Sequence, residues 1–236
     1  MTATDPNDRE FLPFDTVLAR ALGDLAGLAV ADIGCGSGAV TRRLARLGAE
    51  VTGVEPNAAQ VAVAEEKGAE EKGSRPRYVV APAEATGLEP ESFDLALFSR
   101  SLHHAGDMAA ALAEARRIVR PGGRIAVLEP EAAGPFHPVM AFVDDEAPVY
   151  AQAQAALDAA VAAGDLTRAA SLRFATKCRA RDAEAMLADL ITVDNGRSLA
   201  DADRPAFEAA FAAALVPDDK GGHIPDFSRI DVFTRT

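Results

Sequence analysis

The residues best suited to hold a cofactor form a glycine-rich turn, DIGCGSG at positions 32–38, directly after a short apolar run. Its glycines, Gly34, Gly36 and Gly38, let the backbone turn sharply and come close to a ligand. A predicted amphipathic helix begins just after them, and the first N–H groups of a helix have no partner inside it. The turn is therefore suited to a nucleotide-like ligand.

An acidic residue follows at the end of the next apolar run, where Glu55 stands 19 positions after Gly36. Dinucleotide and adenosyl cofactors both use such a carboxylate to bind ribose hydroxyls. With Ala39, the turn also satisfies the dinucleotide pattern G-x-G-x-x-G/A. The turn and the acid together predict a nucleoside-containing cofactor and leave its kind open.

A second group of reactive side chains follows the fourth apolar run, with Arg100 just ahead of His103 and His104. In an open α/β sheet this position lies at the carboxyl edge, where ligands bind. A neutral imidazole there can accept a proton from a substrate hydroxyl, amine or activated carbon. The alternative is that the histidines pack against the cofactor or cap the helix after Asp107. The Arg100 guanidinium fits a substrate carboxylate or phosphate, and equally a surface ion pair.

The remaining candidates for metal binding or nucleophilic attack have plainer interpretations. The acidic run Asp144–Glu146 fits a metal site less well than the first turn of a helix, where acids are favoured. No histidine or acid partners Cys35 locally, so we expect it to contribute its backbone to the turn. Cys35 and Cys178, the two cysteines, have no CxxC or zinc-type spacing. We therefore predict neither a metal site nor a disulfide.

Composition and charge limit the partners that the chain can have. Of its 236 residues, 49% are hydrophobic and 25% are charged, which suffices for a sizeable core and opposes intrinsic disorder. The net charge of −12 repels polyphosphate, so no nucleic-acid partner is expected. No apolar stretch approaches the ~20 residues that cross a bilayer, and the polar N-terminus is unlike a signal peptide. We expect a cytoplasmic protein with a small-molecule substrate and no membrane partner.

Short apolar runs alternate with amphipathic segments in the first half of the chain. The runs fit buried parallel strands and fall at residues 28–33, 50–55, 77–81, 93–98 and 124–129. Two apolar stripes at helical spacing lie between them, formed by Val40, Leu44 and Leu47 and by Met108, Leu112, Ala115 and Val119. The segment Pro121–Gly123 fits a type II turn. This alternation predicts a parallel α/β sheet with right-handed crossovers.

Later in the chain the patterning is mainly helical, and residues 131–180 are interpreted as a helical insertion that covers the sheet as a lid. One predicted helix ends near Gly164, and another begins after Asp182, which is placed to cap it. Two further strands are predicted, LITV at 190–193 and the terminal RIDVFTRT.

Four sequence segments, taken in order, resemble one known family. They are VADIGCGSG, VTGVEPN, APAEATGLEPESFDLALFSRSLHHAGD and ARRIVRPGGRIAVLEP. The set strongly resembles the class I S-adenosylmethionine-dependent methyltransferases, in particular the small-molecule branch typified by the ubiquinone and menaquinone biosynthesis methyltransferases. The resemblance implies a Rossmann-like α/β fold, with a seven-stranded, mostly parallel sheet, an antiparallel last strand and helices on both faces. RIDVFTRT fits that last strand.

The resemblance and the patterning together imply a single methyltransferase domain over residues 1–236. Its cofactor-binding core would be residues 25–130, and its helical lid would be residues 131–180, after the fifth strand. Helices and strands in residues 181–236 would complete the sheet.

The resemblance also implies which residues hold S-adenosylmethionine. Asp32 would lie near the methionine moiety, and Glu55 would bind the ribose hydroxyls. The turn residues that would wrap the cofactor are Gly34, Cys35, Gly36 and Gly38.

Further residues would surround the adenine and the amino-acid end of the cofactor. Pro56 would lie against the adenine, and Ala83 and Glu84 match the segment that meets its amino edge. The family often has an acid where this chain has Pro82. Adenine recognition would therefore rest on the Ala83 amide and Glu84. Ser99 matches the position that closes over the amino-acid end.

The implied activity is transfer of a methyl group to a small-molecule O, N or C nucleophile. His104 and His103 are the candidate bases, although in-line positioning of a reactive nucleophile can suffice without a base. Arg100 and His137 are the candidate substrate-binding residues. One alternative is an NAD(P)-dependent Rossmann oxidoreductase, which the lack of a Ser/Tyr-x-x-x-Lys constellation disfavours. The other is a protein that binds S-adenosylmethionine without turnover.

The four histidines carry a geometric expectation. His103 and His104 follow the fourth strand, His137 follows the fifth, and His223 precedes the last. Because an antiparallel last strand begins at the edge where its parallel neighbours end, all four should lie at the carboxyl edge of the sheet. We expect His137, which directly precedes the lid helix, to line the substrate pocket.

Overall fold

The structure is a computed structural model that describes residues 9–70, 75–193 and 197–236. It divides into two compact units. The sheet unit comprises Leu18–Glu129, Ala151–Leu172 and Ile230–Thr236. The helical unit comprises the described residues up to Val17 together with Pro130–Tyr150 and Arg173–Arg229. Each unit has its own apolar core.

Among the described residues, seven strands form one sheet, in the order β3-β2-β1-β4-β5-β7-β6. The strands are β1 Ala29–Ile33, β2 Glu50–Glu55, β3 Arg77–Val80, β4 Phe93–Ser99, β5 Val119–Pro130, β6 Leu166–Cys178 and β7 Ile224–Arg235. β1 pairs in parallel with β2 and β4, β2 with β3, and β4 with β5, whereas the last strand is antiparallel. The predicted Rossmann-like α/β fold is therefore confirmed. Because the strand order reverses between β1 and β4, this is the point where such sheets place a ligand.

Helices precede, connect and follow the strands of the described residues. They are α1 Phe14–Leu22, α2 Ala39–Arg46, α3 Ala58–Ala69, α4 Met108–Ile118, α5 His137–Met140, α6 Ala147–Ala162, α7 Ala183–Val193 and α8 Arg204–Ala214. Asn57 caps α3 and Asp107 caps α4, each accepting a hydrogen bond from a first-turn N–H. Asp182 caps α7 as predicted, accepting from the Ala185 N–H at 2.8 Å. No helix in the described part of the chain is both long and apolar enough to cross a bilayer.

The strand predicted at residues 190–193 is wrong, since these residues are the last turn of α7. Leu190 is buried with Met186 and Leu187, at the spacing of one helix face. The helical period of the preceding residues therefore continues through the β-branched pair Ile191 and Thr192.

The segment 131–180 contains α5 and α6, as expected, and then a strand that the sequence patterning missed. β6 has the sequence LTRAASLRFATKC, in which small and basic residues break up the apolar positions. Neither strict alternation nor a continuous apolar run was present to predict it.

The ends of two elements differ from the predicted ones. Leu47 lies just beyond α2 and is 39% exposed, while Thr41 and Leu44 are the buried residues of that helix. β5 begins at Val119, which pairs with Phe93 ahead of a register shift in the β4–β5 ladder. The predicted turn at Pro121–Gly123 is thus an irregularity inside β5, with Gly122 at φ +75°.

One cluster of the core of the sheet unit lies on one face of the parallel strands. Phe98 of β4 and Val127 of β5 are buried with Leu112 of α4 and Leu157 of α6. Burying such side chains stabilises the unit by about 1.5 to 3 kcal/mol each. This packing fixes the strand ends from which the polar loops emerge.

A nearly buried carboxylate joins α4 to the loop after β3. Glu114 Oε1 accepts hydrogen bonds from the Thr86 N–H at 2.9 Å and the Thr86 hydroxyl at 2.6 Å. Its Oε2 pairs with Arg117 Nε at 2.6 Å, and Arg117 Nη2 donates to the Leu88 carbonyl at 2.6 Å. The Arg117 guanidinium, with help from Thr86, lowers the pKa of Glu114 to about 2. The network therefore requires an ionised Glu114.

Replacing Glu114 by Gln should lower the free energy of unfolding by about 1 to 3 kcal/mol at pH 7, because buried donors lose a charged acceptor. Since the folded pKa lies below the unfolded value, the stabilisation is complete above about pH 4.5 and is lost as the pH falls towards 2. Urea unfolding between pH 7 and pH 3 measures both effects. Glu66→Gln, at an exposed position of α3, is the matched control. Equal stability of the two variants would contradict the role of the network.

Candidate active site

The glycine turn after β1 is tied to the end of β2. The N–H groups of Gly34 and Cys35 both donate to the Val54 carbonyl, at 2.8 Å and 3.0 Å. Gly36 has φ +52°, and Gly34 and Gly38 both have φ +74°, a conformation that strains residues with a Cβ. The backbone conformation of the turn is therefore by itself a reason for glycine at these three positions.

The three glycines differ in what surrounds them. A Cβ on Gly34 would lie 2.5 Å from Ser101 Cβ, and one on Gly38 would lie 2.6 Å from the Tyr78 hydroxyl. Around Gly36, by contrast, no heavy atom of the described residues beyond its two chain neighbours comes within 4 Å of such a Cβ. Gly34 and Gly38 are therefore required for packing, whereas Gly36 borders open space.

The Glu55 carboxylate connects this turn to the helix after β2. Its Oε2 accepts the Gly36 N–H at 3.0 Å, and its Oε1 accepts the Asn57 N–H at 3.0 Å. Each carboxylate oxygen has two lone pairs, so a further acceptor position remains on each oxygen. The half-buried side chain of Glu55 is thus held in place and retains acceptors that suit two neighbouring hydroxyl groups.

A second acid, Asp32, lies almost completely buried at the end of β1. It is 1% exposed, and its Oδ2 accepts a hydrogen bond from the Thr41 hydroxyl at 2.6 Å. Burial raises the pKa of Asp32 to about 6, and the negative charge of Glu55 adds to the rise. A cation placed beside Asp32 would therefore favour its ionised form.

Cys35 lies between these two acids in the turn. Burial, followed by the charges of Asp32 and Glu55, raises the pKa of its thiol to about 12. The thiol stays protonated at neutral pH and is unsuited to nucleophilic attack.

The predicted adenine-binding segment also has a structural role. Glu84 Oε1 accepts the Asp107 N–H at 2.9 Å, which connects this segment to the start of α4. Ala83 is half-buried and Pro56 is exposed beside the helix-capping Asn57. Ser99 is half-buried at the carboxyl end of β4, next to the switch point of the sheet.

The loop after β4 is anchored by a residue that the sequence analysis did not single out. The Ser101 hydroxyl donates to the Ile33 carbonyl at 2.6 Å and so joins the ends of β1 and β4. The preceding Arg100 is exposed and has φ +57°, a rare conformation for a residue with a side chain. Its N–H donates to the Leu128 carbonyl at 2.8 Å. Serine in a loop gives no distinctive sequence signal, which is why Ser101 was missed.

His103 and His104 form a short 3-10 turn directly after this loop. His103 is buried, and its Nδ1 forms a hydrogen bond with Glu129 Oε2. Glu129 Oε1 accepts the N–H groups of Leu102 at 3.0 Å and His103 at 3.3 Å. His104 is exposed, and its ring centroid lies 3.9 Å from that of His103. Glu129 was missed because the sequence offers only an acid at the end of a buried strand.

The other two histidines belong to the helical unit. His137 Nε2 lies 3.2 Å from Asp145 Oδ1, and His223 Nδ1 lies 3.0 Å from Asp218 Oδ2. The expectation that all four histidines share one edge of the sheet, and that His137 lines a substrate pocket, stays a prediction.

The acidic run at 144–146 contacts cationic groups of the chain itself. Arg197 Nη2 lies 2.9 Å from Asp144 Oδ2 and 3.1 Å from Glu146 Oε1. Together with the pair between His137 and Asp145, these contacts give each acid of the run a partner within the helical unit.

Comparison with known proteins supports the motifs in the sheet unit. A family model described as "Methyltransferase domain" matches residues 31–127. The ubiquinone biosynthesis O-methyltransferase of Methylobacterium sp. is 42% identical over 99 residues, which cover 42% of this chain and 39% of that protein. The protein of the same name from Azorhizobium caulinodans is 38% identical over 105 residues, covering 44% and 41%. The matches thus span about two fifths of these relatives.

Solved structures extend the likeness in fold. The YcgJ protein from Bacillus subtilis has a TM-score of 0.62 at 17% identity and covers 94% of this chain and 97% of its own. A putative methyltransferase from Bacillus halodurans has a TM-score of 0.62 at 15% identity, with coverage of 93% and 96%. At these identities the likeness shows the fold alone. The sequence matches confirm that residues 31–127 resemble the methyltransferase domains of the class I S-adenosylmethionine-dependent methyltransferases.

Proposed function

We propose that the protein is an enzyme that transfers the methyl group of S-adenosylmethionine to a small-molecule nucleophile. The observation that carries the proposal is the geometry at Gly36, inside a domain that matches the methyltransferase family. The space beside the Gly36 Cα is open, and the Gly36 N–H donates to the Glu55 carboxylate. Each oxygen of that carboxylate has a further lone pair that can accept a hydrogen bond from a hydroxyl group. The two neighbouring hydroxyl groups of a ribose can donate to these two oxygens.

The residues around the turn fit the rest of the cofactor. Asp32 would face the methionine end, where the ammonium group would favour its ionised form despite burial. Gly34, Cys35 and Gly38 would surround that end with backbone, and Ser99 would close over it. Pro56, the Ala83 amide and Glu84 would contact the adenine. The bound cofactor supplies an electrophilic methyl group on a sulfonium.

The protein's own groups would then align the acceptor and take its proton. His103 and His104 stand at the carboxyl edge, next to the switch point, and are the groups suited to accept that proton. Arg100 would bind an anionic group of the substrate, and His137 would line its pocket. The names of the relatives favour oxygen as the methylated atom.

The net charge of the chain agrees with a small-molecule substrate. The net charge of −12 opposes nucleic-acid binding. We propose a cytoplasmic location and a single domain in which the segment after β5 covers the substrate as a lid.

The direct test is a search for the methylated product. Purified protein is incubated with a metabolite extract and S-adenosylmethionine labelled with carbon-13 in its methyl group, and mass spectrometry identifies labelled products. We expect at least one metabolite to gain the labelled methyl group, with heat-denatured protein as the control. Cofactor binding without a labelled product would favour a non-catalytic binding protein. Retention of NAD(P) in place of S-adenosylmethionine would favour an oxidoreductase.

Replacing Gly36 by Ala should abolish cofactor binding while the fold survives. The new methyl group enters open space in the protein but occupies room that the ligand needs. Gly122→Ala is the matched control, since Gly122 also has a positive φ and open surroundings but lies in the β5 irregularity. Both variants should lose about 1 to 2 kcal/mol of stability through backbone strain.

Calorimetric titration with S-adenosylhomocysteine separates the two variants. Only Gly36→Ala should lose affinity. Equal affinities for Gly36→Ala and Gly122→Ala would place the cofactor elsewhere.

A further inference from the structure

We infer that Tyr78 of β3 is a positioning residue that holds the glycine turn in the conformation that binds the cofactor. Its ring packs against β2 and α3, and its hydroxyl oxygen lies against Gly38 at the end of the turn. The inference rests on the proposed function only for the identity of the ligand. Its structural part stands on the packing around Tyr78 within the sheet unit.

The register of the sheet places Tyr78 in one row with a residue of the candidate site. Gly53 of β2 pairs with Tyr78 on one side and with Asp32 of β1 on the other. Residues paired in this way point to the same face of a sheet. The Asp32 side chain meets Thr41 of α2 on that face. Tyr78 therefore lies on the face that carries the helix that begins at the glycine turn.

Two glycines in regular elements make room for the tyrosine ring. A Cβ on Gly53 would lie 2.8 Å from Tyr78 Cδ1, and one on Gly68 of α3 would lie 3.3 Å from Tyr78 Cε2. Neither glycine has a positive φ, so the backbone conformation does not require glycine at these positions. The same Cβ on Gly53 would lie 2.8 Å from Cys35 Sγ. The space above Gly53 is therefore filled by the ring together with a residue of the turn.

The hydroxyl end of the ring meets the last residue of the turn. A Cβ on Gly38 would lie 2.6 Å from the Tyr78 hydroxyl oxygen and 3.0 Å from Arg42 Nη1. Arg42 Nη1 also donates to the Ser37 carbonyl at 2.8 Å. The Gly38 N–H donates to the Cys35 carbonyl at 2.9 Å. The Tyr78 hydroxyl and the Arg42 guanidinium therefore enclose the end of the turn.

The Tyr78 hydroxyl is neutral at physiological pH. Its oxygen is buried, and burial raises the pKa of Tyr78, while the neighbouring Arg42 guanidinium opposes part of the rise. Tyr78 therefore acts on the turn through the size and position of an uncharged group.

This packing affects binding because the two halves of the turn are held differently. The first half is tied to β2 by hydrogen bonds to the Val54 carbonyl and the Glu55 carboxylate. The end of the turn packs on Tyr78. Without the hydroxyl, the end of the turn can move into the vacated space, and ordering it again opposes ligand binding.

Replacing Tyr78 by Phe is the sharpest test, because it removes only the atom that lies against Gly38. The ring keeps its place beside Gly53 and Gly68. The affinity for S-adenosylhomocysteine, measured by isothermal titration calorimetry, should fall by about 3- to 10-fold. Tyr78→Leu, which also removes the ring, should lose about 10- to 30-fold.

Val79→Ala is the matched control. Val79 is half-buried on the same strand, and its side chain points to the opposite face of the sheet. This variant should lower the midpoint of thermal unfolding and keep the affinity. A residue that only stabilises the fold would behave in the same way, so the comparison separates positioning from stability.

Hydrogen exchange of the ligand-free protein, followed by mass spectrometry, tests the same contact without a ligand. In Tyr78→Phe the amides of residues 34–39 should exchange about 3- to 10-fold faster than in the unmutated protein, because the turn opens locally. In Val79→Ala they should exchange at the unmutated rate.

The outcomes separate this inference from the proposed function. If the unmutated protein binds S-adenosylhomocysteine, the inference requires both effects in Tyr78→Phe, and either one alone would overturn it. Equal losses of affinity in Tyr78→Phe and Val79→Ala would also overturn it. These results decide the matter even if Tyr78→Leu fails to fold. If the unmutated protein does not bind the ligand, the proposed function fails, and the exchange comparison alone supports or overturns the role of Tyr78 in holding the turn.

Discussion

The carboxylate of Glu55 is the constraint on which the candidate site depends. It joins the N–H of Gly36 in the turn after β1 to the N–H of Asn57 at the start of α3. The turn is held from the other side by the Val54 carbonyl, and Ser101 attaches the loop after β4 to the end of β1. Backbone groups of three strand ends are therefore fixed against each other before any ligand arrives, which lowers the ordering cost of binding.

Acidic side chains at the carboxyl edge differ in their roles: some hold backbone N–H groups, and one is buried with a raised pKa. Glu84 and Glu129 each use an oxygen to hold backbone N–H groups of the segment between β4 and α4. Asp32 is different, because it is buried with Thr41 as its hydrogen-bond donor, and burial raises its pKa to about 6. Ionisation of a buried carboxyl group with a raised pKa lowers the stability of the fold. Such groups are typical of ligand-binding sites.

Elements whose signals lie in the local sequence were predicted correctly. β2 has the predicted bounds, and Asp182 caps its helix as expected. β6 was missed, since it forms as the neighbour of β7 at the edge of the sheet and its sequence lacks a period. Glu129 and Ser101 were missed for a similar reason, because their partners are 26 and 68 residues away in the chain. The family resemblance carried no information on which carboxylate would meet which histidine.

The most direct test of this account is the affinity of S-adenosylhomocysteine for protein with an altered Glu55, measured by isothermal titration calorimetry. Glu55→Ala should weaken binding by about 1.5 to 3 kcal/mol, because the ribose hydroxyls and the turn lose a charged acceptor. Glu50→Ala, at the exposed opposite end of β2, should bind like the unmutated protein. Equal affinity of the Glu55→Ala and Glu50→Ala variants, or preferential binding of NAD to the unmutated protein, would contradict the assignment of this turn to an adenosyl cofactor.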